Sequence, residues 1–235
     1  MSSLRPLVIV ASLGTGAATA RLSAKSGYSV ALIAEGQGSV HGLVKKINDE
    51  GGNQAAGFPV ESYIQSVFSA IKTHFPSHTY ALRAAVWNAG PGLRKPFLEI
   101  TEQNVQNCVD TNVVAAFAFA QQAILGLIGN ELDNTGKKGT LIFTGTTASS
   151  LAKEFGREKI HVSHVIVDGS TYRPIPNVGG RLRGYLTGIR REGSLLEPGS
   201  ELEPDSIAQS YFYLTNQDHS AVAWELDLRP VVEMW

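Results

Sequence analysis

Gly14-Thr15-Gly16 stands between an apolar run, Leu7 to Ala11, and a helical stretch, Ala17 to Ser26. Glycines at a strand-to-helix turn let the backbone approach a pyrophosphate, and the first amides of the helix stabilise its charge. The triplet is therefore a candidate dinucleotide loop. About twenty residues further on, where such a fold meets the adenosine ribose, stands Glu35. A carboxylate there accepts hydrogen bonds from a ribose 2′-hydroxyl and repels a 2′-phosphate, favouring NAD(H) over NADP(H). The plain alternative is a solvated loop glutamate. Asp168 follows the strand-like run His161 to Val167 and is a candidate acid or base near the crevice outside the strand ends.

Other chemistries find little support. His74 and His78 are separated by Pro76, which breaks the helix that would align them on a metal. His161 and His164 are three apart in a strand and point to opposite faces. No Cys cluster, His-Glu-x-x-His or Gly-x-Ser-x-Gly occurs. No metal site is expected, and the single cysteine, Cys108, reads as a packed helical residue.

The elements that would position these groups alternate. Ser29 to Ala34 is a second strand after Gly27, Val40 to Glu50 a helix, and Ala55 to Val60 a third strand. Glu61 to Phe75 has helical spacing and is stopped by Pro76; Tyr80 to Trp87 is the fourth strand, followed by the loop Asn88-Ala89-Gly90-Pro91-Gly92. Thr101 is a plausible N-cap for a long helix reaching Ile128. Thr140 to Thr144 is the fifth strand, ending at Gly145, and His161 to Val167 the sixth. Pro204-Asp205-Ser206 starts a helix, Ile207 to Leu214, before a last strand at Trp224 to Pro230. Apolar strands alternating with helices predict an α/β fold: one Rossmann-like, doubly wound parallel sheet with helices on both faces, spanning 1–235.

Composition fits that expectation. A chain of 235 residues, 43% hydrophobic and 17% charged, is ordinary for one globular domain. A net charge of -1 gives no electrostatic reason to expect nucleic acid or a membrane surface. We expect no bilayer-spanning run, no signal peptide and a cytoplasmic location.

With these elements laid out, the sequence resembles the short-chain dehydrogenase/reductase family over nearly its whole length, Leu7 to Pro230. The family's Gly-x-x-x-Gly-x-Gly loop matches at Gly14 and Gly16, with Val10 in place of the first glycine. Its Asn-Asn-Ala-Gly appears as Trp87-Asn88-Ala89-Gly90, its structural Asn as Asn112 in Asp110-Thr111-Asn112-Val113, and its Ser-bearing segment as Thr144 to Ser150. Its Pro-Gly after strand six reads Asp168-Gly169. The resemblance implies cofactor contacts from Gly14, Thr15, Gly16, Asn88, Ala89 and Gly90, and catalytic roles for Ser149 (or Ser150) and Asn112.

The same resemblance implies a Tyr-x-x-x-Lys pair, the Tyr passing a proton while hydride moves at the nicotinamide and the Lys lowering the Tyr pKa. None of the seven tyrosines has a lysine four residues downstream. Lys153 reads as the solvated end of a shortened helix, and Tyr172 and Tyr185 lie in the following loop without supporting spacing. The acidic residue that many members place after strand three is Pro59 here.

The helix after strand five is therefore expected to be short, Ser149 to Phe155. In the family, this helix and the one before it form the main subunit interface. The long helix carries Val113, Val114, Ala115, Ala116, Phe117, Phe119, Ile124 and Leu125, more than one apolar face, so either a rearranged self-association surface, a homo-oligomer through residues 101–128, or poor solubility is expected. Residues 170–204, rich in Gly, Pro and Arg, match the family's substrate lid; the basic charges suit either an acidic small-molecule substrate or a solvated loop. Three functional readings follow: an oxidoreductase by ancestry with redox activity weakened or lost, an enzyme using the crevice for unconventional reduction or non-redox isomerisation or cyclisation, and a partner-binding regulatory subunit. An incomplete or alternatively spliced product would carry the same short crossover.

Overall fold

The computed structural model describes residues 4–12, 14–34, 36–50, 54–60, 63–90, 93, 95–145, 149–168, 170–171 and 201–230. Its centre is a seven-stranded sheet: β1 (Arg5–Ala11), β2 (Ser29–Ala34), β3 (Ala55–Pro59), β4 (Tyr80–Trp87), β5 (Gly139–Thr144), β6 (Ile160–Val167) and β9 (Glu225–Leu228). The spatial order is β3-β2-β1-β4-β5-β6-β9, and every pairing is parallel. All six residues of β2 are buried, as expected for a strand covered on both faces. Two short strands, β7 (Ser170–Thr171) and β8 (Glu201–Leu202), pair separately.

Alternation within each strand divides the apolar residues between two cores. Leu7, Ile9 and Ala11 face α3 (Ile64–His74) and α5 (Ala116–Ile128), while Val8 and Val10 face α1 (Thr15–Lys25), α2 (Gln37–Asp49) and α7 (Pro204–Asn216). The second layer of α7 is supplied by Ile207, Ala208, Tyr211 and Leu214, all buried on one helical face. Pro204 occupies its first turn, where a missing N–H costs nothing.

Several boundaries differ from the sequence expectations. α2 begins at Gln37 rather than Val40, and α7 extends the expected Ile207 to Leu214 at both ends. The long helix is continuous over Glu102–Ile128 but not uniform: α4 (Glu102–Val109) passes through a π-helical turn, Asp110–Ala115, into α5. Thr101 caps it, its hydroxyl accepting from the Asn104 amide while the Asn104 side chain accepts from the Thr101 amide. Contrary to expectation, this helix is long and apolar enough to cross a membrane by length and composition. Its face carrying Phe119, Ala123 and Leu127 is instead buried on the sheet.

Between β5 and β6 the crossover contains α6 (Ser149–Phe155), a 3-10 turn Gly156–Glu158 and Lys159 at φ 60. Seven residues make about two helical turns. Leu151, Ala152 and Phe155 pack on the core, and Lys153 is exposed. The other expected apolar face of the long helix is open: Val105, Val109, Val113 and Phe117 are exposed at four-residue spacing, Val113 at 58% and Phe117 at 63%.

Candidate functional site

Strand order reverses at β1, from which the chain proceeds outward to β2 on one side and β4 on the other. Crevices at such a switch point open beyond the C-terminal strand ends. Here the crevice has a volume of about 530 Å³ and is lined by Ala11, Ser12, Ile33, Ala34, Val60, Ile64 and Trp87 to Gly90. Asp110, Thr111 and Ala115, from the π-helical turn, close one side. Interruptions of this kind re-aim side chains within a helix.

The turn out of β1 is tight. Gly14 has φ 77, a conformation that glycine adopts without penalty, and among the described residues nothing beyond its chain neighbours lies within 4 Å of where its Cβ would stand. Gly16 is needed for the opposite reason: a Cβ there would stand 2.9 Å from Ser12 Cβ and 3.3 Å from Val10 Cγ1. Ser12 itself has φ 153, a region in which side chains are disfavoured. Gly14 caps α1, and no side chain caps the helix. A short glycine turn and helix amides without a side-chain cap suit the charge of a pyrophosphate. Thr15 is the first residue of α1, and its carbonyl accepts from Thr19 Oγ1 at 2.9 Å.

Beside the crevice, a smaller cavity of about 130 Å³ is lined by Trp87, Ala89, Asn112, Ala116, Phe143, Thr144 and Gly145. A Cβ on Gly90 would stand 2.9 Å from Asn112 Oδ1, so Asn112 lies directly against the loop after β4. The fold thus brings together Asn88, Ala89, Gly90 and Asn112. Ser149 opens α6 beyond β5. Glu35, Thr146 to Ala148, Gly169, Tyr172 and Tyr185 lie outside the described residues.

Two residues sit differently from what their sequence position suggests. Asp168 directly follows β6, its amide donating to Leu228 O, and its carboxylate is held by Arg229 at 3.1 Å; the Arg229 Nε also binds both carboxylate oxygens of Asp227. This is a solvent-facing ion-pair cluster between strand ends. Pro59 lies against α2, in a cleft with Val40, His41 and Val44, and Val60 is the residue that lines the crevice. The strand alternation sends the two to opposite faces.

Spacing along the chain could not reveal a buried polar network at the same edge. Tyr211 of α7 is 1% exposed, and its hydroxyl lies 3.1 Å from Asn88 Oδ1 and 2.5 Å from Thr144 Oγ1. Asn88 Nδ2 in turn donates to Ser12 Oγ at 3.3 Å. Burial raises the Tyr211 pKa, so the phenol stays protonated. Lower on the same face, Lys137 is 2% exposed and donates to the carbonyls of Leu214 and Thr215 at the C-terminal end of α7. Burial pushes its pKa from 10.5 down to about 8, opposed by the carboxylates of Asp133 and Asp218. His161 Nε2 donates to Ala223 O at 2.8 Å, and burial lowers its pKa, leaving it neutral.

Solved structures share this architecture. A 3-oxoacyl-[acyl-carrier protein] reductase from Brucella melitensis with bound NAD superposes with a TM-score of 0.73 at 19% identity, covering 95% of this chain and 89% of its own. A metagenomic short-chain oxidoreductase in complex with NADP gives 0.70 at 20% identity, with 99% and 100% coverage. A 3-ketoacyl-ACP reductase from Sinorhizobium meliloti 1021 gives 0.72 at 17% identity, with 95% and 97% coverage. At these identities the likeness is one of fold. No curated protein matches the sequence. The short chain dehydrogenase family model matches residues 6–157, more than half of the chain, and with the doubly wound sheet and its crevice this makes the protein a member of the short-chain dehydrogenase family.

Proposed function

We propose that this chain binds a nicotinamide dinucleotide at the C-terminal edge of its sheet and that its redox chemistry is weakened or lost relative to its family. The crevice of about 530 Å³, which Ser12 lines just ahead of the Gly14 to Gly16 turn, carries the first half of this reading. The α1 amides would hold the pyrophosphate, and Asn88 to Gly90 would wall the ring-bearing half. A bound nicotinamide supplies hydride exchange. The second half rests on the β5–β6 crossover, where residues 145–159 include no tyrosine and the α-helix among the described residues is seven residues long. Without a positioned proton donor, general acid catalysis worth about 10²–10⁴-fold is lost.

Glu35 supports a preference for NAD(H), because it follows the last residue of β2 and a carboxylate there repels a 2′-phosphate. Relatives of the same fold were solved with NAD and with NADP, so the preference rests on this residue alone. Titration with NADH and NADPH, followed by nicotinamide fluorescence and calorimetric heat, tests both points. Saturable binding that is tighter for NADH supports the reading. No binding up to millimolar cofactor overturns it.

A second reading, self-association, is supported by the exposed stripe Val105, Val109, Val113 and Phe117. Contiguous apolar surface of this kind marks interaction sites, and a second copy presents the same stripe in return. Light scattering should find a dimer or larger species, and Phe117→Asp should shift it toward a folded monomer. A monomer at every concentration would remove this reading.

A further inference from the structure

We propose that Tyr211 is a positioning residue for the dinucleotide turn, acting through Asn88 on Ser12; the inference rests on the dinucleotide reading above. Proton bookkeeping gives the network a direction. The Tyr211 hydroxyl has one proton, and Asn88 Oδ1 can only accept, so Tyr211 donates there at 3.1 Å. Its 2.5 Å contact with Thr144 must then be a bond donated by the Thr144 hydroxyl. With Oδ1 turned to Tyr211, the Asn88 amide presents Nδ2 to Ser12 Oγ at 3.3 Å. The sequence of donors runs from Thr144 to Tyr211 to Asn88 to Ser12.

Both ends of that sequence matter. Thr144 lines the smaller cavity beside Asn112. Ser12 lines the larger crevice and holds φ 153, and its amide donates to Ile33 O. A residue kept in a disfavoured backbone region needs surroundings that over-determine it, and the Asn88 side chain is one of those restraints. Tyr211 reaches the site from a helix far along the chain, fixed there by the buried Ile207, Ala208 and Leu214 on its own face. Its role is to stop the Asn88 amide from rotating, which keeps the turn in the shape that meets the pyrophosphate.

Removing the hydroxyl leaves Asn88 Oδ1 without its buried donor, so the amide can turn away from Ser12. The loss of one such bond corresponds to about a threefold to tenfold rise in the dissociation constant for NADH. The test uses the full chain as wild type, Tyr211→Phe, Ser12→Ala, the double variant, and Ile207→Val as a packing control on the same helix face. NADH affinity is read by fluorescence and stability by thermal unfolding. Tyr211→Phe should weaken NADH binding, while Ile207→Val leaves affinity within about twofold even where it lowers stability more. In the Ser12→Ala background, Tyr211→Phe should add little, because the downstream link is already gone.

Unchanged affinity in Tyr211→Phe, or the same loss in both Ser12 backgrounds, would overturn the assignment. So would a loss in Ile207→Val that tracks its stability, since that is what a purely structural role produces. If the wild type itself shows no saturable NADH binding, the dinucleotide reading fails and this inference fails with it. Binding by the wild type with an indifferent Tyr211→Phe sinks the inference alone.

Discussion

Gly16→Ala is the sharpest test of how the turn after β1 is built. The added methyl would stand 2.9 Å from Ser12 Cβ and 3.3 Å from Val10 Cγ1. Neither neighbour yields cheaply: a Cβ moves only with its backbone, and Val10 is fully buried in β1. Overpacking of this kind costs about 1–3 kcal/mol. For a chain of this size, that corresponds to a fall in unfolding temperature of about 2–12 °C. The structure also predicts the remedy. Ser12→Gly removes the closer contact and accepts φ 153 without side-chain strain, leaving only the 3.3 Å approach to Val10. In that background, Gly16→Ala should cost no more than about 1 kcal/mol. Urea unfolding of the wild type and the three variants measures the difference directly. An equal cost of Gly16→Ala in both backgrounds would refute the close approach and, with it, this account of why glycine stands at position 16.

Two further predictions concern the α7 face of the sheet. Lys137 has a pKa of about 8 in the folded protein against 10.5 in the open chain. Between those values the unfolded chain binds more protons, so this residue's contribution to stability rises with pH across about 8 to 10.5. The stability of the wild type relative to Lys137→Met should therefore increase from pH 8 to pH 10 in urea unfolding; a flat difference would show that the amine is not desolvated. Ser163 Oγ is fully buried and has no hydrogen-bond partner among the described residues. Ser163→Ala should be neutral or stabilising by about 1 kcal/mol, because an unsatisfied buried hydroxyl is removed; a loss of that size in thermal or urea unfolding would mean the hydroxyl is satisfied.

Much of the site could be read locally. Gly14 and Gly16 stand out because a strand-turn-helix needs them at that spacing, and the structure gives each a distinct physical reason. Asn88 to Gly90 and Asn112 were found by family pattern, and the fold places them in contact. Ser12 carried no signal, since a serine in a glycine-like conformation looks like any loop serine. Tyr211 carried none either: it is 123 positions from Asn88 and 67 from Thr144. The ion pair of Asp168 with Arg229, across strand ends, is likewise invisible along the chain.

By itself, the sequence determined the order and type of the elements. Apolar runs bounded by glycine and proline specify buried parallel strands, and their alternation with helices leaves few topologies open. It also determined how short the β5–β6 crossover is, because chain length limits what can be built there. Only the tertiary structure decided which faces meet. The long helix is apolar on more than one side, so periodicity could not say that Phe119, Ala123 and Leu127 go to the sheet while Val113 and Phe117 remain outside. Nor could it say that α7 delivers a buried phenol to Asn88 and Thr144. Local pattern records whether a side chain seeks burial; the partner it finds depends on packing between segments far apart in the chain.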